Sequence, residues 1–418
     1  MKFGLLIIGN EILDGKITDL NTRFLSEFLR TNHLELHVMM TVKDNEASIH
    51  QGLKTLADRC EVIVTSGGLG PTLDDITKQT IASYVGSKIM FSDAAMRVAE
   101  KNYSRFQRPF PGKEHGYCFL PEGFIPLDNS TGFAPGFFIH HENKCIFSAP
   151  GVPREFKVMT EEHLLRLVNP PEGSGLLESL NFRTRKVPEE KIFGEVDKDL
   201  WKKLSQFGDV SSLPILFGVD IGVKIRASNQ KELDEKRTAV TKVMKDSPVW
   251  ENVWHVGYES VEEMIVRTAN AKKIKYGFSE SCTGGLCSHR MTNISGASTS
   301  FMGSVVSYDN SVKENILGVS SQSLKDFGAV SVEVAKEMAN GLRMNLGLDI
   351  VISVTGIAGP GGGSTEKPVG TVCIGYSTAK STEAVRLQFY GDRELLKNRF
   401  SQAALFTLLE QLENFAGV

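Results

Sequence analysis

Two stretches of this 418-residue chain join glycine-rich loops to side chains able to act as nucleophile, base or metal ligand. In the C-terminal part, Glu280-Ser281-Cys282-Thr283-Gly284-Gly285 follows Gly277-Phe278, and Thr355-Gly356-Ile357-Ala358-Gly359-Pro360-Gly361-Gly362-Gly363 follows Val351-Ile352-Ser353-Val354. Ser281 stands just past a strand, and Thr283-Gly284-Gly285 opens a helix whose N–H groups can hold a phosphate or a developing oxyanion. A hydroxyl nucleophile needs a base within hydrogen-bond reach. No histidine falls at an obvious loop position in this half, so lysine is expected in that role, and Lys313, after Ser307-Tyr308-Asp309-Asn310, can project into the same crevice. It acts as a base only where burial or a neighbouring cation lowers its pKa. Tyr308 offers an aromatic wall and a hydroxyl. Thr355 and Gly356 begin a loop that lets backbone approach a ligand, and Arg393 can pair bidentately with a phosphate.

The second candidate is Gly67-Gly68-Leu69-Gly70-Pro71-Thr72-Leu73-Asp74-Asp75, behind Val62-Ile63-Val64. Carboxylates at the start of a helix are favourable by themselves, so capping is the plain alternative for Asp74. Two adjacent carboxylates beside a glycine loop also suit a hard divalent ion, Mg2+ or similar, that holds a phosphorylated substrate. Glu11 and Asp44 end neighbouring strands and join Asp74 and Asp75 as candidate metal ligands. Asn21 and Lys78 are candidate ribose or phosphate contacts, and Gly67, Gly68 and Gly70 a candidate backbone cradle. Taken singly, Ser281 and Thr283 read as helix caps, the lysines as solvated surface groups and the glycines as turn residues. Together, loops this rich in glycine at consecutive strand ends are costly to order without a ligand to contact.

A chain of this length exceeds what one core usually organises, so two or three domains are expected. Hydrophobic residues at 41% and charged ones at 23% are ordinary for a globular protein. A net charge of -3 gives no global reason to bind nucleic acid, and small phosphorylated nucleotides need only a local positive site. Cysteines at 60, 118, 145, 282, 287 and 373 follow neither disulfide nor zinc spacing. The apolar run Phe3 to Ile8 is too short for a signal peptide, and no stretch reaches membrane-spanning length. A cytoplasmic protein without a membrane partner is expected.

Residues 3 to about 168 alternate strand and helix: Phe3 to Ile8, Leu20 to Leu29, Leu36 to Val42, Ala47 to Ala57 and Glu61 to Thr65. That alternation predicts a parallel sheet covered by helices, with ligands where strands end. Asn169 to Gly175 has linker composition. A small α+β module follows to residue 252: strand Asn181 to Val187, helix Glu189 to Leu204, strands Ile215 to Phe217 and Ile221 to Ala227, and helix Lys231 to Lys245. From Ser260 the chain returns to α/β and ends in a helix from Arg393 to Phe415.

Glu280 to Gly285, Tyr308-Asp309-Asn310 with Lys313, Gly328-Ala329-Val330-Ser331, Thr355 to Pro360 and Lys367-Pro368-Val369-Gly370-Thr371-Val372 resemble the signature of the CinA C-terminal family, the nicotinamide mononucleotide deamidases, over residues 258–418. The resemblance implies metal-free hydrolysis of nicotinamide mononucleotide to nicotinic acid mononucleotide and ammonia. It makes Ser281 the nucleophile, Lys313 its base, and Tyr308, Thr355 and Arg393 substrate contacts. Gly9 to Gly15, the glycine loop through Asp75, Asn129 to Phe137 and Pro150 to Glu155 resemble the N-terminal half of CinA proteins over residues 1–168, similar to the molybdopterin-binding MoaB/MogA fold. That implies metal-dependent cleavage of ADP-ribose to AMP and ribose 5-phosphate. Residues 172–252 resemble the family's KH-like insert but hold no Gly-x-x-Gly loop, which points to a spacer or dimer contact rather than an RNA clamp. The family also suggests a homodimer. Two alternatives stay open: a molybdopterin-type binding or adenylyl-transfer protein, and a non-catalytic accessory factor in competence or DNA damage.

Overall fold

The structure, a computed structural model, describes residues 1–72, 75–170 and 176–415. Most of the expected linker and Asp74 therefore lie outside the described residues. The chain divides into two compact units, one of Met1–Leu180, Leu204–Asp209 and Val223–Val243, the other of Asn181–Lys203, Val210–Gly222 and Met244–Val418. Both belong to the α/β class.

The first unit holds a six-stranded sheet in the order Glu35–Val42, Lys2–Ile8, Val62–Ser66, Lys144–Ala149, Gly136–His141, Ile125–Leu127. Lys2–Ile8 is buried on both faces. Phe3, Leu5 and Ile7 pack on one side with Leu25, Leu29 and Phe156, while Leu6 and Ile8 pack on the other with Ile49, Leu53 and Ile81. That two-residue alternation is what a strand between two helical layers requires. The sheet is mixed rather than wholly parallel. The first four strands run parallel, but Gly136–His141 and Lys144–Ala149 form a hairpin, and Ile125–Leu127 adds antiparallel beside it. Only Glu142 and Asn143 separate the hairpin strands, with Glu142 at φ 53°. A connection so short admits no crossover helix.

The second unit holds a five-stranded sheet in the order Phe301–Val306, Tyr276–Glu280, Ile350–Gly356, Thr371–Thr378, Thr382–Gln388. The first three are parallel and the last two antiparallel. Helix Arg393–Asn414 covers one face, setting Phe400, Ala404 and Leu408 against Phe278, Ile352 and Ile374. Helix Val332–Leu346 sets Val334, Met338 and Leu342 beside Val351. The helix starts follow capping chemistry: Ser260 and Glu263 form a reciprocal box, and Asp309, Ser331 and Asp392 each accept a first-turn N–H.

A four-stranded sheet runs Gly208–Ile215, Gly218–Ala227, Leu176–Thr184, Val253–Val256. The helix expected over Glu189 to Leu204 is interrupted at Asp197, whose backbone leaves the helical region at φ −147°, ψ 89° and whose carboxylate takes the Lys203 ammonium at 3.0 Å. Gly194 lies within the interrupted segment and weakens its helical preference. No described helix is long and apolar enough to cross a membrane.

One close approach ties this packing to the site below. A Cβ on Gly341, within helix Val332–Leu346, would stand 1.7 Å from the carbonyl oxygen of Leu317, the last residue of helix Asn310–Leu317. Gly341→Ala must push that helix aside, and overpacking of this kind costs about 1–3 kcal/mol. A lower urea midpoint is expected, measured by tryptophan fluorescence.

Candidate functional site

Strand register assembles the C-terminal site. Glu280 pairs with Val306 on one side and Val354 on the other, so Ser281, Ser307 and Thr355 leave the carboxyl ends of three adjacent parallel strands in one row. The row is stitched across: Ser281 N–H donates to the Val354 carbonyl at 2.9 Å, and Ser307 N–H to that of Glu280 at 2.7 Å.

Lys313 is the fourth residue of helix Asn310–Leu317, whose start Asp309 caps through the Ser311 N–H. Helical side chains lean toward the N-terminus, so this lysine reaches back past its own cap. Its Nζ donates to the carbonyls of Ser307 at 2.7 Å and Tyr308 at 3.3 Å and stands 3.2 Å from Ser281 Oγ. The side chain is 1% exposed and Ser281 8%. Burial lowers the Lys313 pKa from the ordinary 10.5, against weaker upward pulls from Asp309 and Cys282. A neutral amine has two N–H bonds and one lone pair. With the two carbonyls taking the N–H bonds, the lone pair faces Ser281 Oγ, the arrangement a general base needs. Cys282, beside Ser281, is a poor thiolate nucleophile, since burial pushes its thiol up to about 12.

The helix start after Ser281 is not the anion cradle expected from Thr283-Gly284-Gly285. The Glu280 carboxylate, fully buried, accepts the N–H groups of Gly285, Cys287 and Ser288 at 3.0–3.1 Å and the Ser288 hydroxyl at 2.6 Å. The chain has filled its own helix N-terminus with its own anion. Thr283 is fully buried, while a Cβ on Gly284 or Gly285, at φ 63° and 95°, would point toward Lys397 Nζ or Val306. These three residues shape the turn and do not line the crevice. Glu280 was missed because an acid at a strand end looks solvated; the sign was a carboxylate just ahead of a capless Thr-Gly-Gly helix start.

The crevice, of about 260 Å3, is lined by Ser281, Tyr308, Lys313, Thr355, Gly356 and Arg393 among others. Thr355 is buried and donates its hydroxyl to the Ala329 carbonyl at 2.8 Å, fastening a neighbouring loop. Tyr308 is 64% exposed, and its hydroxyl accepts from Arg393 at 3.1 Å, while Arg393 also donates to the Gly359 carbonyl at 2.5 Å. A Cβ on Gly361 would meet nothing within 4 Å among the described residues, which leaves that loop open toward a ligand.

In the first unit a cleft of about 570 Å3 collects Glu11, Asn21, Asp44, Gly67, Gly68, Gly70 and Asp75 at strand ends. Two of its carboxylates are engaged. Asp44 accepts the Asn10 N–H at 2.9 Å, and Asp75 accepts the Thr72 N–H at 3.0 Å and the Thr72 hydroxyl. Among the described residues no group of three acids, histidines or cysteines is arranged to hold a metal ion; Glu11, Asp44 and Asp75 of the expected set share the cleft, and Asp74 lies outside the described residues. The glycines answer to the fold as well as to any ligand: a Cβ would fall 2.2 Å from the Ile8 carbonyl at Gly67, 2.1 Å from Thr77 Oγ1 at Gly68 and 2.4 Å from Asp75 Oδ2 at Gly70. Asn21 bridges strand ends, its amide donating to Ser66 Oγ at 2.8 Å and the Gly151 carbonyl at 2.9 Å. Lys78 lies in an adjoining smaller pocket and donates to the Gly116 carbonyl at 2.6 Å, burial bringing its pKa down to about 8. Two further groups border the cleft, Tyr117 and Glu155, both shifted upward chiefly by burial. Tyr117 had no local sequence signal.

Comparison with known proteins covers both units. Residues 258–412 match the family described as CinA C-terminal domain, and residues 4–169 the one described as probable molybdopterin binding domain. A putative competence-damage inducible protein of Halothermothrix orenii is 34% identical over 417 residues, covering 98% of each chain. A CinA-like protein of Kosmotoga olearia is 34% identical over 414 residues, covering 98% of this chain and 97% of its own. A crystal structure of a CinA superfamily protein from Klebsiella pneumoniae is 29% identical and covers 38% of this chain and 100% of its own, with a TM-score of 0.36.

Glu280→Gln keeps the shape but turns an amide NH2 toward backbone N–H groups that need an acceptor. A loss of about 1–3 kcal/mol is expected from the donors left unpaired, read as a lowered urea midpoint; an unchanged midpoint would contradict the capping role.

Proposed function

This chain belongs to the CinA family, and on that premise we propose that its second unit is a serine–lysine amidohydrolase that converts nicotinamide mononucleotide to nicotinic acid mononucleotide and ammonia. The observation that carries this reading is the 3.2 Å approach of Lys313 Nζ to Ser281 Oγ inside a buried crevice. Ser281 Oγ attacks the carboxamide carbon as its proton passes to Lys313 Nζ. The tetrahedral adduct then collapses, the C–N bond breaks, and Lys313 returns the proton to the departing nitrogen as ammonia. Water, deprotonated by the same amine, cleaves the acyl-serine ester and restores both side chains. The Ser307 and Tyr308 carbonyls stabilise the transient ammonium. Arg393 stands at the open end of the crevice, where a ligand phosphate can replace its bonds to Tyr308 and Gly359. Amide groups of the Thr355–Gly363 loop are the proposed donors to the oxyanion. With the helix start neutralised by Glu280, the substrate's negative charge belongs at the Arg393 end.

For the first unit we propose binding of a phosphorylated nucleotide, with metal-dependent cleavage of ADP-ribose to AMP and ribose 5-phosphate. The support is the strand-end cleft that collects Glu11, Asp44 and Asp75 beside its glycine loop, oxygens of the kind that would hold a divalent ion. A pterin binder without hydrolysis is the second reading, favoured by the molybdopterin-binding match over residues 4–169.

Ammonia release from nicotinamide mononucleotide should fall at least about 10³-fold in Ser281→Ala and about 10²–10⁴-fold in Lys313→Arg, which cannot lose its proton. An inactive wild type, or a Ser281→Ala variant at full rate, removes the proposal. Because a depressed lysine pKa leaves more neutral amine at a given pH, kcat/KM should rise with pH to a plateau whose midpoint lies below 10.5. A profile that falls over that range speaks against an amine base. Incubation of the full chain with ADP-ribose should yield AMP when Mg2+ is added and not when it is withheld; pterin binding without any AMP would favour the binding reading.

A further inference from the structure

Phe133 is an aromatic ring on the wall of the N-terminal cleft. It is 37% exposed and lines the N-terminal cleft with Asn21, Asp75, Tyr117 and Glu155. Its backbone is fastened from beneath by two asparagines with no solvent exposure: Asn102 donates to the Phe133 carbonyl at 3.2 Å, and Asn129 to the Ala134 carbonyl at 2.9 Å. Neighbouring Gly132 packs so tightly that a Cβ there would lie 2.2 Å from the Glu155 carboxyl carbon. The ring itself is backed by Tyr103, centroids 4.7 Å apart, and Phe106, at 5.1 Å. Tyr103 continues into His115 at 6.0 Å, and His115 into Tyr117 at 4.5 Å.

A ring needed only to complete a core would be covered, and one on an idle surface would need no buried polar supports. Here an aromatic side chain backed by two rings stays partly open in the same cleft as the glycine loop. Flat heteroaromatic rings stack on such faces, largely whatever their edge chemistry. We propose that Phe133 is the stacking platform for the heteroaromatic ring of this cleft's ligand, a nucleobase or a pterin, with the ligand's phosphate toward Gly67–Gly70. The inference rests on the proposed reading of the cleft as a phosphorylated-ligand site and adds the residue that selects ligands carrying a ring.

Calorimetric titration of the full chain carrying Arg393→Ala, which disables the other crevice, tests it with AMP, neopterin monophosphate and ribose 5-phosphate. Phe133→Ala should weaken binding of AMP, neopterin monophosphate or both by roughly 5- to 150-fold, the scale of one lost stacking contact, and leave ribose 5-phosphate unchanged. Phe133→Trp should restore the loss, and the ring compound that responds identifies the source of the ring. Equal affinity of Phe133→Ala and its parent for both ring compounds overturns the platform while leaving the phosphate cleft standing. A parallel loss for ribose 5-phosphate also overturns it, since the effect would then be structural. No binding of any of the three compounds by the parent protein overturns the platform and the cleft reading together.

Discussion

A lysine amine sealed between two backbone carbonyls and a serine hydroxyl is the constraint around which the second unit is arranged. Burial lowers the pKa of that amine, and the two carbonyls fix its direction. Strand Phe301–Val306 has to end where it does for the carbonyls of Ser307 and Tyr308 to face Lys313 Nζ. Asp309 has to cap the next helix for its fourth residue to lean back onto them. Helix Val332–Leu346 can seat that helix only because Gly341 carries no side chain against Leu317.

The same economy of charge explains the Glu280 carboxylate. A helix N-terminus one turn from Ser281 attracts anions, and on the proposed reading a substrate phosphate drawn there would carry the carboxamide away from Ser281. By occupying those N–H groups internally, Glu280 removes the competitor and leaves Arg393 as the cation at the crevice. Its main-chain carbonyl also receives the Ser307 N–H, so one residue braces both the helix after Ser281 and the strand end before Lys313.

The first unit repeats the placement rule without the convergence. Its loops also gather where parallel strands end, yet its glycines chiefly let backbone segments pass close to Ile8, Thr77 and Asp75, and Asp44 and Asp75 bond to neighbouring backbone N–H groups. What distinguishes this cleft is the aromatic series from Tyr103 to Phe133 along one border, carried on buried asparagines.

The sequence by itself determined the strand ends that carry chemistry. An apolar run followed by Ser281, by Ser307-Tyr308 or by Thr355-Gly356 is local information, because two-residue alternation and glycine-rich turns are properties of neighbouring residues. The Ser281–Lys313 pairing was legible for the same reason, with parallel strands in adjacent positions bringing their carboxyl ends together. Tertiary structure decided the rest. The antiparallel hairpin at residues 136–149, the carboxylate of Glu280 under the helix start, the engaged states of Asp44 and Asp75 and the backing of Phe133 by Tyr103 all depend on which distant groups compete for the same donors and the same space. Hydrogen-bond satisfaction and close packing are settled among all neighbours at once, and a chain read residue by residue does not contain that list of neighbours.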